Sequence, residues 1–360
     1  MSENIISVDN LHSKLSTRDG AAYVLTDISM SIKKGSTVGV IGESGSGKTQ
    51  LLLALTGNQE LTPGVYNGNV EYKFTNGVNG PLKIYPNDND DSGNKLQKLQ
   101  VTTDGNYKRK RPFSYKRFVK KESKKIKSKV GFIPQDPKSY LNPYWTVETF
   151  FKQSFKRNNE SGKFRSFLKD YLESVQLPFE IRDKFPNQIS GGEAQRVMMA
   201  FVLSHKPDII IGDELTTGVD VSRQRKIIEL FEDIKKDKPD LTIILISHDI
   251  NFLHHLVDDY FIMYGGCVVE NISNKEHIFQ SEYLHPYTRE LINSISSNNG
   301  INSRNIDELT SSINIHKPIV GCPYLSKCTS SIEKCDKLIP EIQGTQPDSW
   351  QRCWRKFDGK

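Results

Sequence analysis

Residues 42–49 read Gly42-Glu43-Ser44-Gly45-Ser46-Gly47-Lys48-Thr49, which is the spacing G-x-x-x-x-G-K-[ST]. An apolar run, Thr37 to Ile41, precedes it and a helix-like stretch, Gln50 to Leu55, follows. In that context the backbone N–H groups wrap around phosphates at a helix N-terminus, where the macrodipole also favours negative charge. Gly42, Gly45 and Gly47 allow a tight turn and close approach of backbone to oxygen. Lys48 is placed to reach the terminal phosphates of a nucleotide, and the Thr49 hydroxyl to ligate Mg²⁺ beside them. Ser46 and Gln50 flank the Gly47–Thr49 step and belong to the same nucleotide-facing set.

Three further motifs follow in order. Ser190-Gly191-Gly192-Glu193 opens a helical stretch, Ala194 to Leu203, and offers a second glycine-rich helix N-terminus suited to an anion. Ile209-Ile210-Ile211-Gly212-Asp213-Glu214 is a buried-strand run that ends in two carboxylates. Asp213 would hold Mg²⁺ through water, and Glu214 would polarise an attacking water. Leu241 to Ile246 is another apolar strand with His248 just beyond its end, where α/β folds place their ligands.

In this combination the chain resembles the ATPase subunit of an ABC transporter, over nearly its whole length. Two departures stand in the signature, Ile189 where Leu is usual and Glu193 where Gln is usual; the second adds a negative charge near phosphates. The resemblance implies that Gln135, in Phe132-Ile133-Pro134-Gln135-Asp136, contacts Mg²⁺ and reports the nucleotide state to membrane subunits. It implies likewise that Asp220 is the D-loop aspartate and that Tyr23 stacks on adenine. Leu215 and Gly218 replace the usual Pro and Ala without removing a reacting group. Leu141-Asn142-Pro143, Gln195 to Ala200 and His285-Pro286-Tyr287-Thr288 narrow the resemblance to the D-type ATPase of oligopeptide and dipeptide permeases, a family that also includes nickel importers.

That resemblance implies an ATP-hydrolysing subunit of a peptide importer, using ATP and Mg²⁺. One P-loop and one signature are present, so the chain must act as half of a dimer, with an F-type ATPase subunit as the implied partner. Ser190, Gly191 and Gly192 would serve the partner's ATP; Lys48, Asp213, Glu214 and His248 would serve this chain's own. Two membrane permease subunits and an extracytoplasmic substrate-binding protein complete the implied assembly. A nickel or metallophore importer is the rival reading. A weakly active regulatory or assembly subunit is a second, favoured by Glu193 and opposed by Lys48 and Glu214.

With 360 residues, 36% of them hydrophobic, the chain can bury a large core and a small second one. No apolar run reaches bilayer length and the N-terminus has no signal pattern, so a peripheral place on the cytoplasmic face of the membrane is expected. The expected fold is α/β: a P-loop ABC ATPase core with an antiparallel β subdomain and an α-helical subdomain, plus a small Cys-rich C-terminal domain. The expected boundaries are 1–280 for the ATPase (helical subdomain about 140–205, insert about 66–129), 281–314 for the His-Pro-Tyr segment and linker, and 315–360 for the last domain.

Two regions exceed a plain ATPase core. Asn76 to Asn94 is rich in Asn, Asp and Gly and reads as an exposed loop. Lys108 to Lys129 is densely basic, which is either a solvated surface or a contact for anionic lipid; no nucleic-acid module surrounds it. Near the C-terminus lie Cys322, Cys328, Cys335 and Cys353, four of the five cysteines. Stable disulfides are unlikely in a reducing compartment, and the spacing C-x5-C-x6-C-x17-C lacks paired knuckles. An iron–sulfur cluster, zinc and free thiols all remain open on the residues; the family resemblance favours [4Fe–4S]. Cys267 reads as a small packed residue. Val147 to Lys156 and Lys163 to Val175 have helical apolar spacing, and Tyr140 to Trp145 reads as a docking groove for membrane subunits.

Overall fold

The computed structural model describes residues 3–18, 20–57, 63–74, 81–84, 113–157, 163–216, 221–280, 284–297, 315–346 and 349–355. The chain divides into two compact units, one of residues 1–34, 40–126 and 258–360 and the other of residues 35–39 and 127–257.

In the first unit, strands β1 (Asn4–Thr17) and β2 (Gly20–Lys33) form a long antiparallel pair with Ser7 opposite Ser31 and Thr17 opposite Gly20. Ile6, Val8, Leu11, Leu25, Ile28, Met30 and Ile32 are buried, the pattern of a sheet with one face in a core. Strand β3 (Thr37–Ile41) is buried at all five positions, as its unbroken apolar run requires, and its residues are divided between the units. Strands β4 (Pro63–Tyr72) and β5 (Leu82–Ile84) complete a four-stranded sheet in the order β2-β1-β4-β5. This is the expected antiparallel subdomain.

It also corrects the reading of the insert. Leu82 and Ile84 alternate into the core opposite Tyr72 and Val70, so residues inside the span expected to be an exposed loop form a strand. The basic stretch contains a helix, Phe113–Lys127. Val119, Glu122, Ser123 and Ile126 are buried at helical spacing while Lys120, Lys121, Lys124 and Lys127 are exposed. Residues 85–112, within the insert expected at about 66–129, fall outside the described residues.

The second unit holds three parallel strands, β6 (Val130–Ile133), β7 (Ile209–Asp213) and β8 (Thr242–Ser247). Gly131 and Gly212 permit close packing here: an added Cβ would lie 2.2 Å from Val202 Cγ1 and 2.7 Å from Leu215 Cδ1 respectively. The helical part contains Val147–Arg157, Phe164–Glu173 and Gly191–Ser204. Leu168 and Leu172 are core residues, while Phe164, Phe167 and Tyr171 continue an aromatic ladder from Phe155, with ring centroids 4.9–6.5 Å apart.

The chain then returns to the first unit through the antiparallel hairpin of β9 (Asp259–Tyr264) and β10 (Cys267–Ser273). Cys267 is buried there, as expected of a packed residue. Strands β11 (Gln343–Gln346) and β12 (Ser349–Gln351) attach to it, with Gln351 opposite Glu270. The cysteine-bearing segment is therefore continuous with a core strand rather than a separate compact unit.

Glu270 on β10 anchors the helix Pro286–Ser297. Its carboxylate accepts the His285 N–H at 3.1 and 3.2 Å and the Thr288 hydroxyl at 2.5 Å, at the end of the helix where free N–H groups favour an acceptor. Burial raises the Glu270 carboxyl to about 7 against these hydrogen bonds, and burial lowers the His285 imidazole to about 4. Between roughly pH 4.5 and 7 the folded chain binds more protons at Glu270 than the unfolded chain, so this group makes stability fall as pH rises. Between pH 6.5 and 4 the unfolded chain binds more protons at His285, so that group makes stability fall as pH drops. Replacing Glu270 by Gln removes only the first slope. The thermal midpoint of Glu270→Gln is expected to fall more steeply than that of the unaltered chain on acidification from pH 6.5 to 4.5; parallel profiles would contradict this account.

Candidate functional site

The phosphate-binding loop lies in the first unit between β3 and the helix Lys48–Leu55. Gly45 and Gly47 have φ of 79° and 102°, in the left-handed region open to glycine. A Cβ on Gly47 would lie 3.0 Å from the Val24 carbonyl oxygen, and one on Gly42 would lie 2.3 Å from that of Met263. A Cβ on Gly45 would meet nothing within 4 Å. Two of the glycines are thus demanded by the protein's own packing, and the third leaves room for something outside it. Lys48 is buried, and its ammonium donates to the carbonyls of Gly42 at 2.7 Å and Glu43 at 2.8 Å. Ser46 Oγ and Gln50 Oε1 are buried polar atoms without a hydrogen-bond partner, as fits a loop completed by a polar ligand. The donor set suits nucleotide phosphates, and Thr49 follows Lys48 on the same helix turn.

In the second unit, the register of the parallel strands builds a separate group. Ile133 pairs with Gly212, and Gly212 with Leu245, so the residues just beyond these strands emerge side by side. Gln135 Nε2 lies 3.4 Å from one Glu214 carboxylate oxygen, and His248 Nδ1 lies 3.5 Å from the other. Glu214 has φ of 46°, strained for a non-glycine residue, and its N–H is held by the Ile246 carbonyl at 2.8 Å. Asp213, the last residue of β7, pairs with Ile246. Asp249 caps the next helix by accepting the Phe252 N–H at 3.1 Å, which fixes the backbone beside His248.

The signature residues open the helix Gly191–Ser204. Ser190 Oγ accepts the Glu193 N–H at 3.2 Å, and the Glu193 carboxylate accepts the Ser190 N–H at 2.7 Å, a reciprocal capping box. That bond holds the Glu193 carboxyl below the usual range, with further help from Lys184 and Arg196. The carboxylate expected to disturb a phosphate is bonded to its own helix end and is held there in its ionised form. Cβ atoms on Gly191 or Gly192 would meet nothing within 4 Å, so these glycines are not needed for packing inside this chain. Gln195 Nε2 ties the helix to the Leu215 carbonyl at 3.0 Å, one residue past Glu214.

Tyr23, on β2, has the Lys14 ammonium 3.0 Å from its hydroxyl and 4.1 Å from its ring centroid. One face of the ring is thus already next to a cation. Asp220 lies outside the described residues.

Cys322, Cys328, Cys335 and Cys353 line one cavity of the first unit together with His285 and Tyr324. The Cys322 N–H donates to the Cys335 carbonyl at 2.7 Å, and burial pushes the Cys322 thiol up to about 12. Among the described residues no three His, Cys, Asp or Glu side chains are spaced to hold a metal ion. The expected ligation is corrected to that extent: the cysteines share a cavity but are not closed on a single ion. Their clustering between Cys322 and Cys353 in the sequence is the signal that led to the expectation of a common site.

A glycine-lined phosphate loop, and a carboxylate group at the ends of parallel strands, define a P-loop nucleotide-hydrolysing protein. The family described as ABC transporter matches residues 25–217, and that described as oligopeptide/dipeptide transporter, C-terminal region, matches residues 271–335. The chain is 30% identical to the dipeptide transport ATP-binding protein DppD of Bacillus subtilis, over 98% of this chain and 95% of that one. It is 27% identical to the oligopeptide transport ATP-binding protein OppD of Haemophilus influenzae, over 97% of each. The fold is similar to that of cbiO1 from Clostridium perfringens, with a TM-score of 0.56, 23% identity, and coverage of 78% of this chain and 92% of that one. It is also similar to the ATP-binding cassette MJ0796 in its dimeric form bound to ADP and Pi, with a TM-score of 0.55, 23% identity, and coverage of 74% and 98%. The chain belongs to the ABC transporter family, as an ATPase subunit coupled to transport. ATP with Mg²⁺ is the nucleotide such a subunit takes. Among the described residues no helix is long and apolar enough to cross a membrane.

Proposed function

We propose that the chain powers import of oligopeptides or dipeptides, with Glu214 as the residue that activates water for attack on ATP. The meeting of Gln135, Glu214 and His248 beyond β6, β7 and β8 carries this reading. A carboxylate so placed accepts a proton from water, Gln135 orients it, and His248 steadies its second oxygen. Lys48, Ser46, Gly47, Thr49 and Gln50 hold the phosphates. Thr49, Gln135 and Asp213 hold Mg²⁺, which neutralises charge on the phosphates when bound. Tyr23 stacks on adenine with the ring face away from Lys14, and Asp220 serves the dimer contact.

The peptide class rests on the relatives named for dipeptide and oligopeptide transport and on the match of residues 271–335. A nickel or metallophore importer remains the rival within the family. Ser190 is exposed and Gly191 and Gly192 border open space, which suits the ATP of a second ATPase subunit, for which an F-type partner is our choice. Tyr140 and Tyr144 are 63% and 86% exposed and offer a docking surface to permease subunits on the cytoplasmic face of the membrane. A substrate-binding protein would deliver the peptide from outside.

In the reconstituted transporter, Glu214→Gln is expected to lower ATP turnover by on the order of 10²-fold or more while ATP binding persists. Unchanged turnover would show that the partner's site carries hydrolysis and that this chain is an assembly or regulatory subunit.

The exposed lysines of the helix Phe113–Lys127 form a basic face suited to anionic lipid, with the opposite face buried. Reversing Lys120, Lys121 and Lys124 to Glu is expected to weaken sedimentation with phosphatidylserine vesicles. Equal sedimentation would leave the face as a solvated surface.

A [4Fe–4S] cluster is our reading of the four cysteines, supported by their common cavity. Anaerobically purified protein is expected to contain about four irons and four sulfides per chain, lost in Cys322→Ser. Iron-free protein from iron-replete cells would sink this reading and leave free thiols.

A further inference from the structure

The Glu43 N–H donates to the Tyr287 hydroxyl at 3.1 Å, joining the phosphate-binding loop to the first turn of the helix Pro286–Ser297. Both residues are buried, Glu43 at 5% and Tyr287 at 2% exposure. Glu43 is the first variable residue of the loop, and its carbonyl is one of the two that receive the Lys48 ammonium. A single residue therefore carries the tyrosine on its N–H and the lysine on its C=O.

The tyrosine is held from every side. Its ring lies 4.7 Å from that of Tyr264 and 5.5 Å from that of Tyr324, centroid to centroid. Its own N–H donates to His285 Nδ1 at 3.2 Å. His285 and Thr288, on either side, are fastened to Glu270. Tyr324 donates its hydroxyl to Glu290, one turn further along the same helix. The hydroxyl of Tyr287 thus comes to the loop on a support that cannot easily follow a shift of Glu43.

We infer that Tyr287 is a positioning residue for ATP: its hydroxyl fixes the Glu43 peptide, and so the orientation in which Lys48 and the N–H groups after it meet the phosphates. This rests on the reading of Lys48 as the phosphate-binding lysine. When phosphate oxygens arrive, the ammonium must exchange the carbonyls of Gly42 and Glu43 for them. A loop free to rotate at that peptide would follow the lysine, whereas a loop pinned at the Glu43 N–H keeps its shape. Without the hydroxyl this buried N–H has no acceptor, and the loop relieves the cost by turning away from the phosphate-binding form.

Tyr287→Phe retains the ring and its packing and removes the hydroxyl that accepts the Glu43 N–H and also hydrogen-bonds the Glu43 carboxylate. On the full-length chain it is expected to raise the dissociation constant for MgATP about three- to tenfold, the range of one lost hydrogen bond to buried backbone. In the reconstituted transporter the KM for ATP should rise in parallel while kcat changes less than about twofold. Thr288→Val is the companion variant: it sits on the same turn and loosens the Glu270 anchor without touching the loop. It should lower the thermal midpoint and weaken MgATP affinity less than Tyr287→Phe does, because His285 and the Tyr264 and Tyr324 rings still hold the tyrosine. Unchanged affinity and KM in Tyr287→Phe would overturn the inference. So would a loss of affinity in Thr288→Val as large as that in Tyr287→Phe, because the effect would then be general loosening of the helix. Failure of the unaltered chain to bind MgATP would overturn the phosphate-loop reading and this inference together.

Discussion

The pairing of Ile133 with Gly212, and of Gly212 with Leu245, decides where Gln135, Glu214 and His248 emerge, and the reading of hydrolysis depends on that register. A slip of one residue moves a side chain about 3.3 Å along the strand and to the other face of the sheet. Contacts of 3.4 and 3.5 Å around the Glu214 carboxylate would not survive it. The register is protected by burial. β7 and β8 are apolar on both faces, so neither can slide without exposing isoleucine side chains or burying the polar residues at their ends.

Backbone strain and glycine are used differently at the two groups of site residues. Glu214 adopts a left-handed conformation although it has a side chain, held by the Ile246 carbonyl, and this aims the carboxylate between Gln135 and His248. In the phosphate loop, Gly42 and Gly47 are required by neighbouring carbonyls, whereas Gly45, Gly191 and Gly192 border open space. Gly45 is still required by its φ of 79°, whereas Gly191 and Gly192, which no contact in this chain requires, are best explained by a molecule that approaches from outside. Glu193 belongs to the same logic. Its carboxylate accepts the Ser190 N–H and stays ionised, so the residue does the capping work a glutamine could do while keeping its negative charge.

The C-terminal segment is not an appendage on this chain. Gln351 pairs with Glu270, Glu270 holds His285 and Thr288, and Tyr287 between them reaches Glu43 of the phosphate loop. The His-Pro-Tyr-Thr run therefore has a physical account: two of its residues fasten the helix start to a buried carboxylate and a third presents a hydroxyl. Tyr324, which lines the cysteine cavity, also packs on Tyr287.

Local order was largely legible in the residues. The strand Thr37–Ile41, the phosphate loop after it, the strand Ile209–Asp213 and the helix opened by Ser190 follow from apolar runs, glycine spacing and a capping residue, all of which act within a few positions. The strand Leu82–Ile84 was hidden because three residues among Asn, Asp and Gly carry too little pattern, and only the partner strand β4 makes them a strand. The buried face of the basic helix was obscured by its many lysines, since charge dominates composition while burial depends on which side meets the core. The carboxylate anchor at Glu270 and the bond from Tyr287 to Glu43 link residues up to 244 positions apart. The residue types permit each of these contacts, but distance and direction in space are properties of the packed chain, and the tertiary structure alone decided them.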